Sequence, residues 1–270
     1  MASNSTLTAA QLEVPIFGPD TGALAVVNGA RRLELNHAGS YALGGTTPTL
    51  PELSFLVASL STPQNDIPIP VRIMIRPRGP GGPDTQDFLY TPSEIATMRE
   101  SIIAFKASGL LNPSRGDGFV FGLLRRRGAR LEIDVETNRE LVETARPYKA
   151  VFHRAFDDVL SVDPALGLGE SGRGAMECLV ECGLDGVLTS GGRGGVMVEG
   201  NGERLGDVVR ELRGRVEVVV GGGVRSKSVR ELRGVVQGEG VWFHSSCLVA
   251  VGGEMEFDEG EVRALVENLS

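Results

Sequence analysis

Eight short runs rich in apolar and β-branched residues are spread along the chain and separated by longer amphipathic or turn-rich stretches. This alternation is typical of parallel strands joined by helical crossovers, because a parallel neighbour needs a connection that returns along the sheet. The runs are Leu12–Phe17, Arg31–Asn36, Val71–Arg76, Gly118–Leu124, Ala150–Phe156, Gly186–Gly191, Val216–Gly223 and Gly240–Ser246. Eight units over 270 residues predict an α/β fold closed into one (β/α)₈ TIM barrel, with an open doubly wound sheet as the alternative.

The stretches between the runs carry helix signals. Residues Thr91–Glu94 have the pattern of a helix cap and Gly109 that of a helix stop, so a helix is predicted between them. Residues 226–234, between the last two runs, are few enough to form only two turns. The Pro/Gly-rich stretches are too short to link two domains. We therefore expect a tail over residues 1–11 and a single domain over residues 12–270.

The charge balance restricts the partners of the chain. Its formal net charge is −8, whereas binding to nucleic acid or to an anionic membrane needs a basic face. The basic run Arg125–Arg127 is expected to be a solvated loop after a strand. The first residues lack the pattern of a signal peptide, and no stretch approaches the roughly 20 apolar residues of a membrane span. We expect a cytoplasmic protein that binds neither nucleic acid nor membrane.

A carboxylate stands between apolar neighbours in each of the first two runs. Glu13 lies between Leu12 and Val14, and Glu34 is flanked by leucines in the same way. Because strand side chains alternate between faces, apolar neighbours packed under the helices leave both glutamates pointing into the barrel. A buried carboxylate needs a partner. We expect at least one glutamate to contact a histidine or Arg76, and a purely structural neutralisation of Arg76 is the alternative.

Other polar residues end other strands, as they do in barrel active sites. His153 and Arg154 lie near the end of the fifth run, and His244 lies near the end of the eighth. An imidazole titrates near neutrality, so His153 and Glu34 are predicted to exchange protons with a substrate in a lyase or isomerase reaction. A hydrogen-bonded core role for each histidine is the alternative, and whether the chain is an enzyme stays open.

The loops after the last two runs are rich in glycine and serine. Glycine lets backbone amides approach an anion closely, and barrels often bind phosphate at these two loops. The residues predicted to hold the anionic group of a small metabolite are Gly221, Gly222, Gly223, Arg225, Ser245 and Ser246. Ordinary tight turns are the alternative explanation. The loop Gly191–Gly202 after the sixth run is interpreted as either a mobile lid or a simple linker.

Three cysteines offer thiols that could bind a soft metal. Cys178 and Cys182 are four residues apart and share one face of a predicted helix, where packing onto the barrel is the favoured interpretation and Cu(I) binding the alternative. Cys247 follows the eighth run, so His244 and Cys247 are the remaining candidates for metal ligands. An odd number of cysteines gives no reason to expect a disulfide framework.

An ordered series of motifs resembles the CutC copper homeostasis family from about Leu12 to Ser246. The motifs are LEV, RLEL, GGTTPT, IRPRG, DFLY, FHRAFD, VLTSGG, GGGVR and FHSS. The resemblance implies a (β/α)₈ fold, a cytosolic location and a link to copper tolerance. The family motif positions hold Glu13, Glu34, Arg76, His153, Arg154, Asp157, Ser190 and His244, which together are the predicted catalytic set.

The chain departs from this family where copper ligands are expected. Copper binding in relatives is associated with cysteines directly after LEV and RLEL, but these positions hold Pro15 and Asn36, which offer no side chain suited to Cu(I). Two functions therefore compete, copper handling and acid–base catalysis on a small anionic metabolite. The partner is accordingly copper ion or that metabolite, and homo-oligomer formation is left open.

Overall fold

Eight parallel strands close into a barrel in this computed structural model, which describes residues 11–61, 67–81, 86–160, 170–236 and 240–270. The predicted TIM barrel is therefore confirmed. The barrel strands are β1 (Gln11–Phe17), β2 (Arg32–Asn36), β3 (Val71–Met74), β4 (Gly118–Phe121), β7 (Lys149–Phe152), β8 (Gly186–Thr189), β9 (Glu217–Val220) and β10 (Trp242–His244). Residues 1–10 of the predicted tail lie outside the described residues, and Gln11 already belongs to β1.

The helices surround the barrel. They are α1 (Gly22–Val27), α2 (Leu50–Leu60), α3 (Pro92–Ala107), α4 (Val135–Ala145), α5 (Ala155–Leu160), α6 (Glu170–Glu181), α7 (Asn201–Leu212), α8 (Ser226–Val235) and α9 (Glu259–Leu269). The cap predicted for α3 is present, because Thr91 Oγ1 accepts from Glu94 N and the Glu94 carboxylate accepts from Thr91 N at 2.7 Å. Helix α8 has ten residues, more than the two turns considered from the sequence.

The order of strands around the barrel decides which loops face one another. The ring runs β1, β10, β9, β8, β7, β4, β3, β2 and back to β1. Strands β3 and β9 are thus four places apart in either direction, on opposite sides. Along β1 the apolar side chains Leu12 and Val14 are buried in the core, with 2% and 0% of their surface exposed. The intervening Glu13 therefore points to the barrel interior.

Two short hairpins were not predicted. Strands β5 (Leu124–Arg127) and β6 (Arg130–Ile133) pair antiparallel, so Arg125–Arg127 form a strand rather than the solvated loop expected, although their side chains are exposed. Gly128, at φ +62°, provides the left-handed turn between them. A second pair, β11 (Leu248–Val251) and β12 (Glu254–Phe257), follows the barrel. Within the described residues, every helix is too short or too polar to span a bilayer.

Candidate active site

A cavity of about 860 Å³ opens at the carboxyl ends of the barrel strands, and it is called the mouth cavity below. This is the end at which barrel enzymes carry their catalytic residues. The predicted residues that line it are Glu34, Arg76, His153, Arg154, Asp157, Ser190, Gly221, Gly222, Gly223, Arg225, His244, Ser245 and Ser246. Glu13 lies behind His244, and Cys247 is absent from the lining.

A chain of charged side chains runs through the barrel interior to this cavity. The Cα atom of Glu13 is in register with those of Arg32 and His244, so these three residues stand side by side on β2, β1 and β10. Glu13 Oε1 lies 2.6 Å from His244 Nδ1, and Glu13 Oε2 accepts from Arg32 Nε. Arg32 Nη1 donates to Glu217 Oε1 at 2.8 Å, and the guanidinium stacks on the Trp242 ring. We call Glu217, Arg32, Glu13 and His244 the ion chain.

Contacts within the ion chain determine the protonation states of Glu13 and His244. Burial acts to raise the pKa of Glu13, but the Arg32 charge and the His244 hydrogen bond outweigh it and lower the pKa to about 2. Burial acts to lower the pKa of His244, but the hydrogen bond to Glu13 and the charge of Glu34 raise it above 6.5. Glu13 is therefore a carboxylate near neutral pH, and it favours the imidazolium form of His244.

Glu34 lines the cavity beside the ion chain. Burial raises its pKa, and the Glu13 charge adds to this effect while the His244 charge opposes it. Its Oε1 accepts from Asn36 Nδ2 at 3.2 Å. One ligand atom each of Glu13, Glu34 and His244 lie within 4.8 Å of one another, a group whose two oxygens and one nitrogen suit a hard or borderline cation. Arg32 already neutralises Glu13, so such a cation would compete with it.

Arg76 does not pair with either glutamate, which corrects the alternative in which Glu13 and Glu34 neutralise it. Its Nη2 donates to both Asp87 carboxylate oxygens at 3.1 and 2.9 Å, and its Nη1 donates to the carbonyls of Leu43 and Gly45. The expected contact between a glutamate and a histidine is confirmed by Glu13 and His244. Glu13 pairs instead with Arg32 on the neighbouring strand, and Glu34 accepts from Asn36.

His153 is buried and uncharged. Burial lowers its pKa well below 6.5, and the charges of Arg76 and Arg154 lower it further. Its Nδ1 accepts from Ala155 N at 3.3 Å, so the neutral ring carries its proton on Nε2. That Nε2 has no hydrogen-bond partner among the described residues. His153 is thus suited to donate a hydrogen bond to a ligand oxygen, and its predicted proton exchange stays a prediction.

Asp157 and Ser190 belong to a network at the end of β8. Thr189 Oγ1 donates to Asp157 Oδ1 at 2.5 Å, and Ser190 donates to the Asp157 carboxylate from both its backbone N and its Oγ. Burial raises the pKa of Asp157 to about 6, although these hydrogen bonds oppose the rise. The two residues therefore shape the cavity wall, and their predicted catalytic role stays a prediction.

The glycine-rich side of the mouth cavity has the open backbone that an anion needs. Gly222 and Gly223 have φ of +91° and +96°, and a side chain at Gly223 would meet nothing within 4 Å. Arg225 lines the cavity, and its Nη1 has no hydrogen-bond partner among the described residues. Ser245 Oγ already donates to Val224 O at 2.8 Å. Ser246 lines the cavity and is half-buried.

The N-terminus of α8 is not available to an anion. Ser226 donates to the Glu261 carboxylate from its backbone N at 2.8 Å and from its Oγ at 2.7 Å. An anion on this side would therefore rely on the glycine backbone, Arg225 and Ser246.

The loop Gly191–Gly202 is anchored at its end rather than being a plain linker. Asn201 is fully buried, and its Nδ2 donates to the carbonyls of Gly192, Arg193 and Gly195. Arg204 Nε also donates to the Gly191 carbonyl at 2.7 Å. Whether the loop moves as a lid stays a prediction.

Among the described residues, the mouth cavity offers no cysteine thiolate for Cu(I). Pro15 and Asn36 both line the mouth cavity and offer no thiolate there. Cys178 and Cys182 lie on α6, outside the barrel, and burial raises the pKa of Cys182 to about 12. Cys247 is buried, its Sγ contacts Ser245 O at 3.5 Å, and burial raises its pKa to about 12. Residues other than these would have to bind Cu(I).

Three residues of the site, Arg32, Glu217 and Asp87, were not predicted from the sequence. Arg32 stands two residues before Glu34, so the same alternation that turned Glu34 inward also turns Arg32 inward, and the pattern could have revealed it. Glu217 begins β9 and gives a weaker signal of the same kind. Asp87 lies in a connection without any periodic pattern, so nothing in the sequence links it to Arg76.

The chain was compared with known families and proteins. The family model described as the CutC family matches residues 10–247. The copper homeostasis protein cutC homologs of Mus musculus and Homo sapiens are each 33% identical to this chain over 252 residues, which cover 93% of this chain and 78% of each homolog.

Solved structures agree with the barrel fold. The crystal structure of the copper homeostasis protein CutC from Streptococcus agalactiae superposes with a TM-score of 0.67 at 24% identity, covering 87% of this chain and 98% of that one. Phosphoribosyl anthranilate isomerase from Thermococcus kodakaraensis superposes with a TM-score of 0.56 at 14% identity, covering 96% of this chain and 98% of that one. At these identities both likenesses concern the fold alone.

Proposed function

The chain belongs to the CutC family, and from this premise we propose that it is an enzyme that carries out acid–base chemistry on a small anionic metabolite in the mouth cavity. The observation that carries the proposal is the contact of 2.6 Å between His244 Nδ1 and Glu13 Oε1, with Glu34 close by at the cavity wall. A buried carboxylate that holds an imidazole through Nδ1 leaves Nε2 to face a reactant.

Glu34 and His244 have complementary roles in this proposal. Glu34 as a carboxylate takes a proton from a hydroxyl-bearing carbon next to a carbonyl, and the C–H electron pair forms a carbon–carbon double bond. His244 gives its Nε2 proton to the carbonyl oxygen, which yields an enediol. To complete an isomerisation, Glu34 returns its proton to the former carbonyl carbon, while the hydroxyl of the other carbon gives its proton back to His244 Nε2 and becomes the new carbonyl. In a lyase reaction the enediol instead expels a leaving group from the carbon next to the double bond, while one hydroxyl gives its proton to His244 Nε2 and becomes a carbonyl. The raised pKa of Glu34 makes it a stronger base than an ordinary carboxylate.

The anionic group of the metabolite would bind at the loops after β9 and β10. The open backbone at Gly222 and Gly223, the Arg225 guanidinium and the Ser246 hydroxyl support this placement.

The anion site is tested with a matched pair of variants. Ser246→Asp puts a carboxylate at the cavity, whereas Ser246→Asn has nearly the same shape without the charge. We expect inorganic phosphate to raise the melting temperature of the wild type and of Ser246→Asn. In Ser246→Asp the same rise should need a much higher phosphate concentration, because the new carboxylate repels the anion. The same phosphate dependence in all three proteins would contradict the anion site.

Proton transfer is tested with dihydroxyacetone phosphate in D₂O. If Glu34 removes a proton next to the carbonyl, deuterium replaces hydrogen there and the corresponding ¹H NMR signal decays. We expect the exchange rate to fall at least about 10²-fold in Glu34→Gln, as it does when a general base is removed. Because Glu34→Gln purified in the same way would contain the same contaminating enzymes, equal exchange in both samples would count against a role for Glu34.

Copper handling is the second candidate, and the names of the relatives favour it. Since the cavity lacks thiolates, we expect weak Cu(I) binding, so that any effect of this chain on copper would be indirect. A chelator-competition titration measures the affinity, with Pro15→Cys/Asn36→Cys as the positive control, because both positions line the cavity. Tight one-to-one binding by the wild type that survives replacement of Cys178, Cys182 and Cys247 by serine would contradict this expectation.

A further inference from the structure

The side of the mouth cavity that faces the glycine-rich loops carries a second group of cations. Arg76 follows β3, which stands opposite β9 in the barrel ring, and Arg154 follows β7. Both line the cavity together with His153. We call Arg76, His153 and Arg154 the arginine wall. It plays no part in the proton transfer proposed for Glu34 and His244.

The arginine wall has more positive charge than its nearest carboxylate can neutralise. Asp87 accepts two hydrogen bonds from Arg76, at 3.1 and 2.9 Å. The same carboxylate lies 4.0 Å from Arg154 Nη2, beyond hydrogen-bond distance. The neighbouring Asp158 pairs instead with Arg193 at 2.7 Å. Among the described residues, Asp87 is the one carboxylate within 4.0 Å of the Arg154 guanidinium, which is 49% exposed at the cavity.

The positive charges of Arg76 and Arg154 affect the pKa values of groups in the arginine wall. The pKa of His153 is lowered by burial first and then by Arg76 and Arg154. The pKa of Arg154 is lowered by burial and then by Arg76, although the charges of Asp87, Asp158 and Asp157 act to raise it. A bound anion would reduce the repulsion between the two guanidinium groups.

Two neighbours lie beside the Arg154 guanidinium. It is 5.8 Å from the centre of the Phe88 ring. It also lies against Gly44, where an added Cβ would come within 2.4 Å of Nη2, so that the end of this flexible side chain would have to shift. The φ of +78° at Gly44 favours glycine independently of that contact. With these neighbours, Arg154 lines the cavity.

His153 supplies the independent sign of a ligand. It is 1% exposed and lines the cavity, and its Nε2 has no hydrogen-bond partner among the described residues. Leaving a buried donor without a partner is unfavourable, so a ligand oxygen at this place would be stabilised. The Arg154 guanidinium and the His153 N–H are donors suited to the two oxygens of a carboxylate, while Arg76, whose Nη atoms already donate to Asp87 and to two backbone carbonyls, contributes its charge.

We propose that the arginine wall binds a carboxylate, and that the substrate is a phosphorylated hydroxy or oxo acid whose phosphate lies at the loops after β9 and β10. This inference rests on the proposed function, which places a phosphate at one end of the substrate, and it assigns a carboxylate to the other end. The cavity of about 860 Å³ is large for a phosphate alone and is typical of sites for larger metabolites.

Calorimetric titrations test the inference with probes that share a phosphate. Glycerol 3-phosphate has no carboxylate, and 2-phosphoglycolate, 3-phosphoglycerate and 4-phosphoerythronate carry one at increasing distance. Phosphoethanolamine carries an ammonium instead, which Asp87 and Asp158 would favour if the wall selected cations. We expect at least one carboxylate probe to bind the wild type about tenfold more tightly than glycerol 3-phosphate.

A matched pair of arginine variants assigns the effect. Arg154→Gln should reduce that affinity ratio to about one, whereas Arg193→Gln, at another arginine of the lining that is 60% exposed, should preserve it. If glycerol 3-phosphate binds but no carboxylate probe binds more tightly, or if phosphoethanolamine binds most tightly, the inference is wrong and the proposed function stands. If no phosphate probe binds at all, the anion site of the proposed function is wrong and the inference falls with it.

Discussion

The two sides of the mouth cavity each hold one histidine at the end of a barrel strand, in opposite electrostatic settings. His244 stands beside Glu13 and Glu34, and its pKa is raised. His153 stands beside Arg76 and Arg154, and its pKa is lowered. Burial acts to lower the pKa of both rings, so the difference comes from the charges around them. A position at the end of a barrel strand thus makes a histidine a candidate functional residue. The charges of its neighbours then determine whether the ring acts as a charged acid or as a neutral hydrogen-bond donor.

Removing the carboxylate of Glu13, which lies behind His244, is expected to have the largest effect on the difference between the two histidines. In Glu13→Gln, Arg32 stays buried without the carboxylate charge that faces its Nε, and a broken buried pair typically costs about 3–5 kcal/mol. We expect the free energy of unfolding in urea to fall by this amount, and the pKa of His244 to fall as well.

Glu217→Gln is the matched control, because Glu217 also pairs with Arg32 but is 28% exposed. Partly exposed pairs contribute less, so we expect a loss of about 1 kcal/mol or less. Similar losses in both variants would mean that Glu13 has no special place in the ion chain.

The pH dependence of stability should differ in sign between the two histidines. The folded pKa of His244 lies above its ordinary value of 6.5, so its contribution to stability is fully present below pH 6.5 and is lost as pH rises through the folded pKa. The folded pKa of His153 lies below 6.5, so its contribution is present above pH 6.5 and is lost as pH falls toward the folded pKa. Each effect has a limiting slope of about 1.4 kcal/mol per pH unit.

Urea denaturation of His244→Gln and His153→Gln between pH 5 and 9 measures this difference. The stability gap between wild type and His244→Gln should narrow toward high pH, and the gap for His153→Gln should narrow toward low pH. Direct NMR titration of the two rings gives a second measurement. Gaps that narrow in the same direction would show that the two sides of the cavity are not opposite in charge.

The smallest effect concerns the end of β8, which lies between these sides. Ser190→Ala removes one hydroxyl donor to Asp157, and we expect a loss of about 1 kcal/mol in unfolding free energy. The folded pKa of Asp157, about 6, lies above its ordinary value of 3.8, so its contribution to stability is fully present below pH 3.8 and is lost as pH rises through about 6. Loss of the Ser190 hydroxyl donor should raise the pKa of Asp157 further, and the decline in stability should then extend to higher pH. An unchanged pH profile would show that the hydroxyl does not stabilise the carboxylate.

The alternation of side chains in strands accounts for much of what the sequence predicted. Eight apolar and β-branched runs predicted the barrel strands, and alternation predicted that Glu13 and Glu34 point inward, because period two holds wherever one face of a strand packs against helices. Arg32 obeys the same rule, but no sequence pattern says which cation on a neighbouring strand will meet a given carboxylate. That choice depends on the register between strands, which only the folded barrel provides.

Contacts made by irregular segments could not be predicted. Asp87 reaches Arg76 from a connection without periodicity, and Asn201 anchors a loop through three backbone carbonyls. The hairpin of β5 and β6 was hidden because its exposed arginines resemble a solvated segment. These features depend on tertiary geometry rather than on local preference.

The contact between Glu13 and His244 also carries information about folding. The two residues are 231 positions apart, on the first and last strands of the barrel, which pair to close the ring. Bringing such distant segments together costs loop entropy, so this contact is expected to form late. In an intermediate whose ring is still open, His244 would titrate as an ordinary imidazole near 6.5. Its ionisation therefore provides a built-in probe of barrel closure that time-resolved refolding experiments can follow.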